Sequence, residues 1–154
     1  MHSVFFLISS EYRGRVYAMK EWLKNPGEYE TKALEREIKV QSHLNHPNCL
    51  KLYGMSKTPN GLPVLVMQLC NGGTLTDYMK PEKRRYFTKE MRFRIVKEIA
   101  EALCYMHKLG YIHRDLKQDN VLLHDNHPII ADYGLARDMD PNKSIQVTFA
   151  GSPV

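Results

Sequence analysis

The apolar and polar positions from Val4 to Lys20 follow a strand pattern. "SVFFLIS" and "GRVYAMK" are rich in β-branched and aromatic residues, and "SSEYRG" between them carries turn chemistry, so a hairpin is predicted. Past "KNPGE" the period changes. In "YETKALEREIKVQSHL" Leu34, Ile38 and Gln41 fall at i, i+4 and i+7, which predicts a helix that "NHPN" ends because Pro47 cannot continue it. "CLKLYGM" and "LPVLVMQLC" predict two further strands around a "TPNG" turn, "NGG" breaks the pattern, and "TLTDYM" opens a short helix. Thr88 is the expected N-cap of the longest helix, which runs to about Leu109 and is closed by Gly110. Its apolar stripe is Ile95, Ile99, Ala102 and Met106, widened by Val96 and Leu103, and reads as core packing. After a charged loop, "NVLLH" and "PIIADY" predict two short strands, followed by a polar tail from Arg137 to Val154. A strand-rich first half with one helix thus precedes a helical second half. That order predicts an α+β fold of two lobes with a cleft between them.

Composition narrows the class. The chain has 154 residues, 43% hydrophobic and 25% charged, enough for one domain with a real core. A net charge of +5, with acidic and basic residues interspersed, suits phosphate-bearing ligands or acidic partners but decides little. No Lys/Arg stripe with aromatics points to nucleic acid. Cys49, Cys70 and Cys104 lie at unrelated spacings, which predicts reduced thiols rather than disulfides or a zinc site. "VFFLI" is too short for a signal-peptide core, and no apolar run could span a membrane. The expectation is an intracellular, cytoplasmic chain whose partners include neither membrane nor nucleic acid.

The candidate chemistry lies in four short stretches: "VYAMK", "EREI" before "HPN", "HRDLKQDN" and "DYG". Taken singly, a lysine ending a strand reads as solvated and Asp-Tyr-Gly as a turn. Together, in this order and at these spacings, they resemble the catalytic domain of a eukaryotic-type protein kinase of the Ser/Thr class. The resemblance implies a partial bilobal kinase fold. Residues 1–67 would be an N-terminal lobe lacking its first strand and Gly-rich loop, 68–73 the hinge, and 74–154 the start of the C-terminal lobe through the activation segment.

It also implies ATP and Mg2+ as cofactors, and a protein with a Ser/Thr acceptor as the substrate. Strand alternation puts Val16, Ala18 and Lys20 on one face, where small Ala18 admits a flat base and Lys20 meets the phosphates. Glu37 would pair with Lys20, with Glu35 the competing candidate. Val4, Met67, the backbone of Gln68 and Cys70, and Leu122 would surround the adenine, with Gly72 and Gly73 turning the chain beneath the ribose. By the same resemblance Asp115 is the catalytic base and Lys117 neutralises the transferring phosphoryl group. Asn120 and Asp132 would be the magnesium ligands, completing the ATP site. His113 would build the core behind the loop, and Arg114 would grip a phosphorylated activation loop. Lys117 in "DLKQDN" and Ser152 in "TFAGSPV" match the Ser/Thr class, and Thr148, then Ser144, are the candidate phosphosites.

Departures from the family pattern set a second expectation. The Gly-rich loop should precede Val4, with His2 where its third glycine would fall, and the chain stops before an Ala-Pro-Glu motif. Gln41 stands where an apolar side chain is usual, so its buried amide needs partners or costs roughly 1–3 kcal/mol. Tyr133 adds a hydroxyl with the same need. Thr74 stands where some kinases that prefer basic substrates carry glutamate, so no arginine preference is expected. The alternative function is a truncated, non-catalytic kinase-like module that binds nucleotide weakly, or a protein partner over its exposed helical face.

Overall fold

The computed structural model describes residues 5–12, 14–22 and 24–139. The expectations for Val4, Ser144, Thr148 and Ser152 fall outside these residues. Strands β1 (Phe5–Tyr12), β2 (Arg15–Trp22), β3 (Leu52–Lys57) and β4 (Pro63–Gln68) form an antiparallel sheet in the order β1-β2-β4-β3. The first hairpin is tighter than "SSEYRG" suggests. Pairing runs through to Tyr12↔Arg15, and Gly14, at φ +73°, makes the reversal. On β2 Ala18 and Trp22 are buried, whereas Val16 on the same face is exposed and Tyr17, Met19 and Glu21 are half-buried, so the predicted alternation holds only in part.

Helix α1 (Glu28–His43) follows, with Glu28 and Glu30 in its first turn and the Gly27 N–H donating to Glu30 Oε2 at 2.7 Å. It ends earlier than Pro47 requires, because Leu44 is already extended at φ −86°, ψ 124°. Its inner face buries Leu34 and Val40 together with Glu37 and Gln41.

The connection after α1 docks against the second half of the chain. Leu50 N–H donates to Ile130 O and Ile130 N–H to Asn48 O, both at 2.8 Å. The Asn48 amide nitrogen donates to Pro128 O at 2.8 Å and Glu98 Oε2 at 3.0 Å.

Helices α2 (Leu75–Met79), α3 (Pro81–Arg84) and α4 (Lys89–Lys108) come next. α3, only four residues with Pro at its start, is too short to leave a period in the sequence. On α4 the Thr88 hydroxyl accepts from Met91 N at 3.2 Å, and Gly110 is left-handed at φ +81°, as its capping pattern predicts. The stripe is narrower than expected. Ile95, Ala102 and Met106 are buried, Ile99 and Leu103 half-buried, while Val96 is exposed one position round the helix.

β6 (Val121–His124) and β7 (His127–Ile130) form a hairpin that starts and stops inside the predicted strands. Asn120 belongs to a 3₁₀ turn (Gln118–Asn120), and Asp132, at φ +60°, cannot extend a strand. The predicted polar tail includes β8 (Arg137–Asp138), paired with β5 (Tyr111–Ile112). One core cluster joins the sheet (Ala18, Leu65, Met67), α1 (Leu34, Val40), α4 (Ala102, Met106) and the hairpin region (Ile129, Ile130, Tyr133). None of the helices described is long and apolar enough to cross a membrane.

The link from β4 to α2 lies against β6. Gly72 N–H donates to Leu123 O and Leu123 N–H to Gly73 O, both at 2.8 Å. A Cβ on Gly72 would stand 2.8 Å from both Leu123 Cβ and Leu123 O, whereas one on Gly54 would meet nothing within 4 Å. Gly72→Ala should therefore cost roughly 1–3 kcal/mol by overpacking, and Gly54→Ala should stay within about 0.5 kcal/mol of the parent. Urea unfolding of both variants checks the pair, and equal effects would mean that the link yields without strain.

Candidate active site

Lys20 and Glu37 meet between sheet and helix. Lys20 Nζ lies 2.7 Å from Glu37 Oε2 and 3.0 Å from Oε1, with the side chains 13% and 5% exposed. Glu35, the competing carboxylate, points to solvent. Burial pushes the Glu37 carboxyl above its ordinary range, and the Lys20 ammonium opposes that shift. Ala18, two residues before Lys20, pairs across the sheet with Met67. Beyond Met67, Gln68 spends its N–H on Lys51 O at 2.9 Å. The Cys70 thiol is pushed up to about 11 by burial and remains protonated at neutral pH. Leu122, half-buried on β6, bridges to Thr74, the N-cap of α2. The structure therefore brings Ala18, Met67 and Lys20 onto adjacent strands and sets Leu122 beside the link from β4 to α2.

The charged loop is ordered by its own residues. Asn120 Nδ2 donates to Asp115 Oδ2 and to Asp115 O, each at 2.9 Å. Lys117 Nζ lies 3.1 Å from the same Oδ2. Both amide hydrogens of Asn120 are spent on Asp115, so any cation would meet its Oδ1. The hairpin brings Asp132 close, because Ala131 N–H donates to Asn120 O at 2.9 Å. Asp132 is exposed, and its Oδ1 accepts a long bond from Gly134 N–H at 3.4 Å. Arg114 and Asp132, flanking this cluster, are both left-handed at φ 68° and 60°, a conformation non-glycine residues hold only under constraint.

Behind the loop His113 is buried. Its Nδ1 accepts from Asp115 N–H at 3.3 Å and its Nε2–H donates to Ala131 O at 3.0 Å, which fixes a neutral tautomer. Its ring meets Tyr133 edge-on at 5.3 Å. The Tyr133 hydroxyl finds the partner it needs in Ile130 O, at 2.7 Å. Gln41 finds half of what it needs: Nε2 donates to Leu50 O at 3.3 Å, while buried Oε1 has no partner.

Three further contacts escaped the sequence reading. Arg36 donates to Gly134 O at 2.6 Å, Lys39 pairs with Asp138 at 2.8 Å, and Thr76 Oγ1 donates to Asp119 Oδ1 at 2.6 Å. The first two fasten α1 to the segment after Asp132. Their only trace in the sequence is that Arg36 and Lys39 flank Glu37 on a helix, where such residues ordinarily face water.

Comparison with known proteins accords with this geometry. The family model described as "Protein kinase domain" matches residues 2–154. The chain is 38% identical over 149 residues to NUAK family SNF1-like kinase 1 of Homo sapiens, covering 95% of the chain and 22% of that relative. It is 39% identical over 122 residues to a probable serine/threonine-protein kinase of Dictyostelium discoideum, covering 79% of the chain and 13% of the relative. Serine/threonine-protein kinase PLK4 of Drosophila virilis is 32% identical over 121 residues, 78% of the chain and 15% of the relative. The chain thus spans less than a quarter of the length of these relatives.

Two measurements test this geometry. Lys20→Met strands a buried carboxylate and should cost about 3–5 kcal/mol, moderated by proton uptake at Glu37. Lys20→Met/Glu37→Leu should recover much of that loss, and additive losses in urea unfolding would mean that the pair is not coupled. Burial holds the His113 imidazole below its ordinary pKa of 6.5. The unfolded chain then takes up this proton at a higher pH than the folded one, so stability is full above about pH 6.5 and falls as pH drops below it. Melting scans between about pH 7.5 and 5 should show a shallower decline in His113→Phe. Parallel profiles would dismiss the linkage.

Proposed function

Because the chain belongs to the protein kinase family, we propose that it forms the phosphoryl-transfer core of a serine/threonine protein kinase. The reaction moves the γ-phosphoryl group of ATP to a protein hydroxyl. The observation that carries this reading is the Asp115 carboxylate, held by the Asn120 amide at 2.9 Å and the Lys117 ammonium at 3.1 Å. A carboxylate fixed in that way is placed to take one proton.

Asp115 orients the acceptor hydroxyl and receives its proton as the oxygen–phosphorus bond forms and the bond to the ADP leaving group breaks. Lys117, beside it, offsets charge on the transferring group. Lys20, steadied by Glu37, presents its ammonium to the α- and β-phosphates. Ala18, Met67 and Leu122 close on the adenine, and backbone groups of Gln68 and Cys70 meet its edge.

The donor set at the strand ends fits magnesium. Asn120 offers an amide oxygen and Asp132 an exposed carboxylate, the two hard ligands that magnesium takes beside phosphate oxygens and water. When bound, the ion neutralises phosphate charge. Asn120 and Asp132 would hold it.

A second reading, a non-catalytic module that binds nucleotide or a protein partner, draws on Phe93 and Val96, which α4 leaves 69% and 68% exposed. Asp115→Asn separates the two. Under the catalytic reading, transfer to a Ser/Thr peptide should fall by roughly 10²–10⁴-fold, with nucleotide affinity changed less than about threefold. A parent chain that binds nucleotide or a partner but transfers no phosphate would leave the second reading.

A further inference from the structure

The chain's net charge of +5 is not spread along it. Residues 80–94, "KPEKRRYFTKEMRFR", hold seven basic and two acidic residues, which is also +5, so the other 139 residues balance. This corrects two expectations, that the charge is interspersed and that no Lys/Arg stripe with aromatics is present. The segment spans α3, the turn after it and the opening turns of α4. Lys80 is paired with Asp77 at 2.6 Å. Lys83, Arg84, Arg85, Lys89 and Arg92 are all exposed, and none has a carboxylate within ion-pair distance among the described residues.

These cations are arranged as well as concentrated. Lys83 Nζ lies 5.3 Å from the Tyr78 ring centroid, the Tyr78 and Phe87 rings meet edge-on at 6.2 Å, and the Arg92 guanidinium lies 5.2 Å from Phe87. A cation–ring–ring–cation ladder therefore runs from α3 to α4. Arg92 Nε is tied to Phe87 O at 3.0 Å, and Arg85 lies over Tyr86 at 4.8 Å with a 2.7 Å bond to its hydroxyl. Phe87 and Met91 are buried beneath. Side chains stacked in this way lose less freedom when they form an ion pair.

We propose that this face is a docking surface for an acidic, Asp/Glu-rich protein segment, and that the segment belongs to the acceptor protein. Its position supports that use. α2 separates the ladder from the charged loop: Tyr78 at one end carries Lys83, and Thr76 bonds Asp119 at 2.6 Å. A five-residue helix is about 7.5 Å long, so a few residues of extended chain link the two places. The rings decide the chemistry of the occupant. Tyr78, Phe87 and Tyr86 are each covered by a cation of this chain, so over the ladder the outward groups are ammonium and guanidinium edges that match carboxylates, and Phe93, 69% exposed on α4, is a single ring rather than a run of faces on which successive nucleobases stack. The acceptor's part in this proposal rests on the kinase reading, whereas binding of the acidic segment does not.

The experiment is fluorescence anisotropy of a labelled Asp/Glu-rich peptide on the full chain without nucleotide, at low (~50 mM) and high (~300 mM) salt. A neutral peptide, single-stranded RNA and phosphatidylserine vesicles run alongside. The acidic peptide should bind best and weaken with salt. Lys83→Gln/Arg84→Gln/Arg85→Gln/Lys89→Gln should weaken it by about tenfold or more. Lys51→Gln/Lys57→Gln/Lys97→Gln/Lys108→Gln, which removes as many charges elsewhere, should weaken it less than about threefold. Equal losses in the two variants, or tighter binding of RNA or vesicles, overturn the proposal.

In a transfer assay, an acceptor peptide with an acidic tail should show a KM raised about tenfold in the first variant. Its kcat, and the KM of an untailed peptide, should be unchanged. If no peptide is phosphorylated while the anisotropy result holds, the kinase reading fails and the acidic-segment surface stands. If transfer occurs but KM does not follow the tail, the acceptor's part in the proposal fails.

Discussion

The seating of α1 is the constraint on which the site depends, and the buried Lys20–Glu37 pair is its center. Two charges this far from water lose several kcal/mol of hydration each, and only close, two-pronged contact offsets that loss. The pair therefore tolerates little rotation or translation of the helix against β2. Three other polar contacts of α1 read out the same placement. Arg36 reaches Gly134, Lys39 reaches Asp138, and Gln41 reaches Leu50, so a single helix ties the sheet to the segment after Asp132 and to the connection before β3.

The loop around Asp115 obeys a different logic. Here the backbone, not burial, sets direction. His113 holds the Asp115 N–H from behind, Asn120 holds the Asp115 carboxylate from the side, and left-handed Arg114 turns the chain between them. Left-handed Asp132 does the equivalent at the end of the hairpin. Such conformations cost of order 1–3 kcal/mol each for non-glycine residues, and the His113–Tyr133 contact beneath them anchors the segments that bear the strain.

What the sequence disclosed follows from what each residue must do. Lys20, Glu37, Asp115, Lys117, Asn120 and Asp132 stood out by kind and spacing within short motifs, and the structure pairs Lys20 with Glu37 and gathers Lys117 and Asn120 on Asp115. Thr88 and Gly110 were legible because capping acts over three or four residues. Arg36, Lys39 and Asn48 were not, since their partners lie 50 to 99 residues away and a helical arginine that grips a carbonyl looks like one that faces water. β5 and β8 were hidden because two-residue strands have no period. The charged ladder was concealed by arithmetic: a modest total hid an imbalance confined to one segment.

Gln41 shows how directional the α1 seam is. An apolar side chain there would hold the helix by area alone, and area is indifferent to small rotations. The amide instead makes one bond to Leu50 O and leaves Oε1 buried without a partner, so part of the seam is held by geometry and part is unsatisfied. That leaves the seating of α1 more dependent on Lys20, Arg36 and Lys39 than a fully apolar seam would be. Each of those contacts ends on an element that carries the candidate chemistry: β2 with Lys20, or the stretch that follows Asp132. The polar substitution thus concentrates in a few charged contacts the task that generic packing would otherwise share.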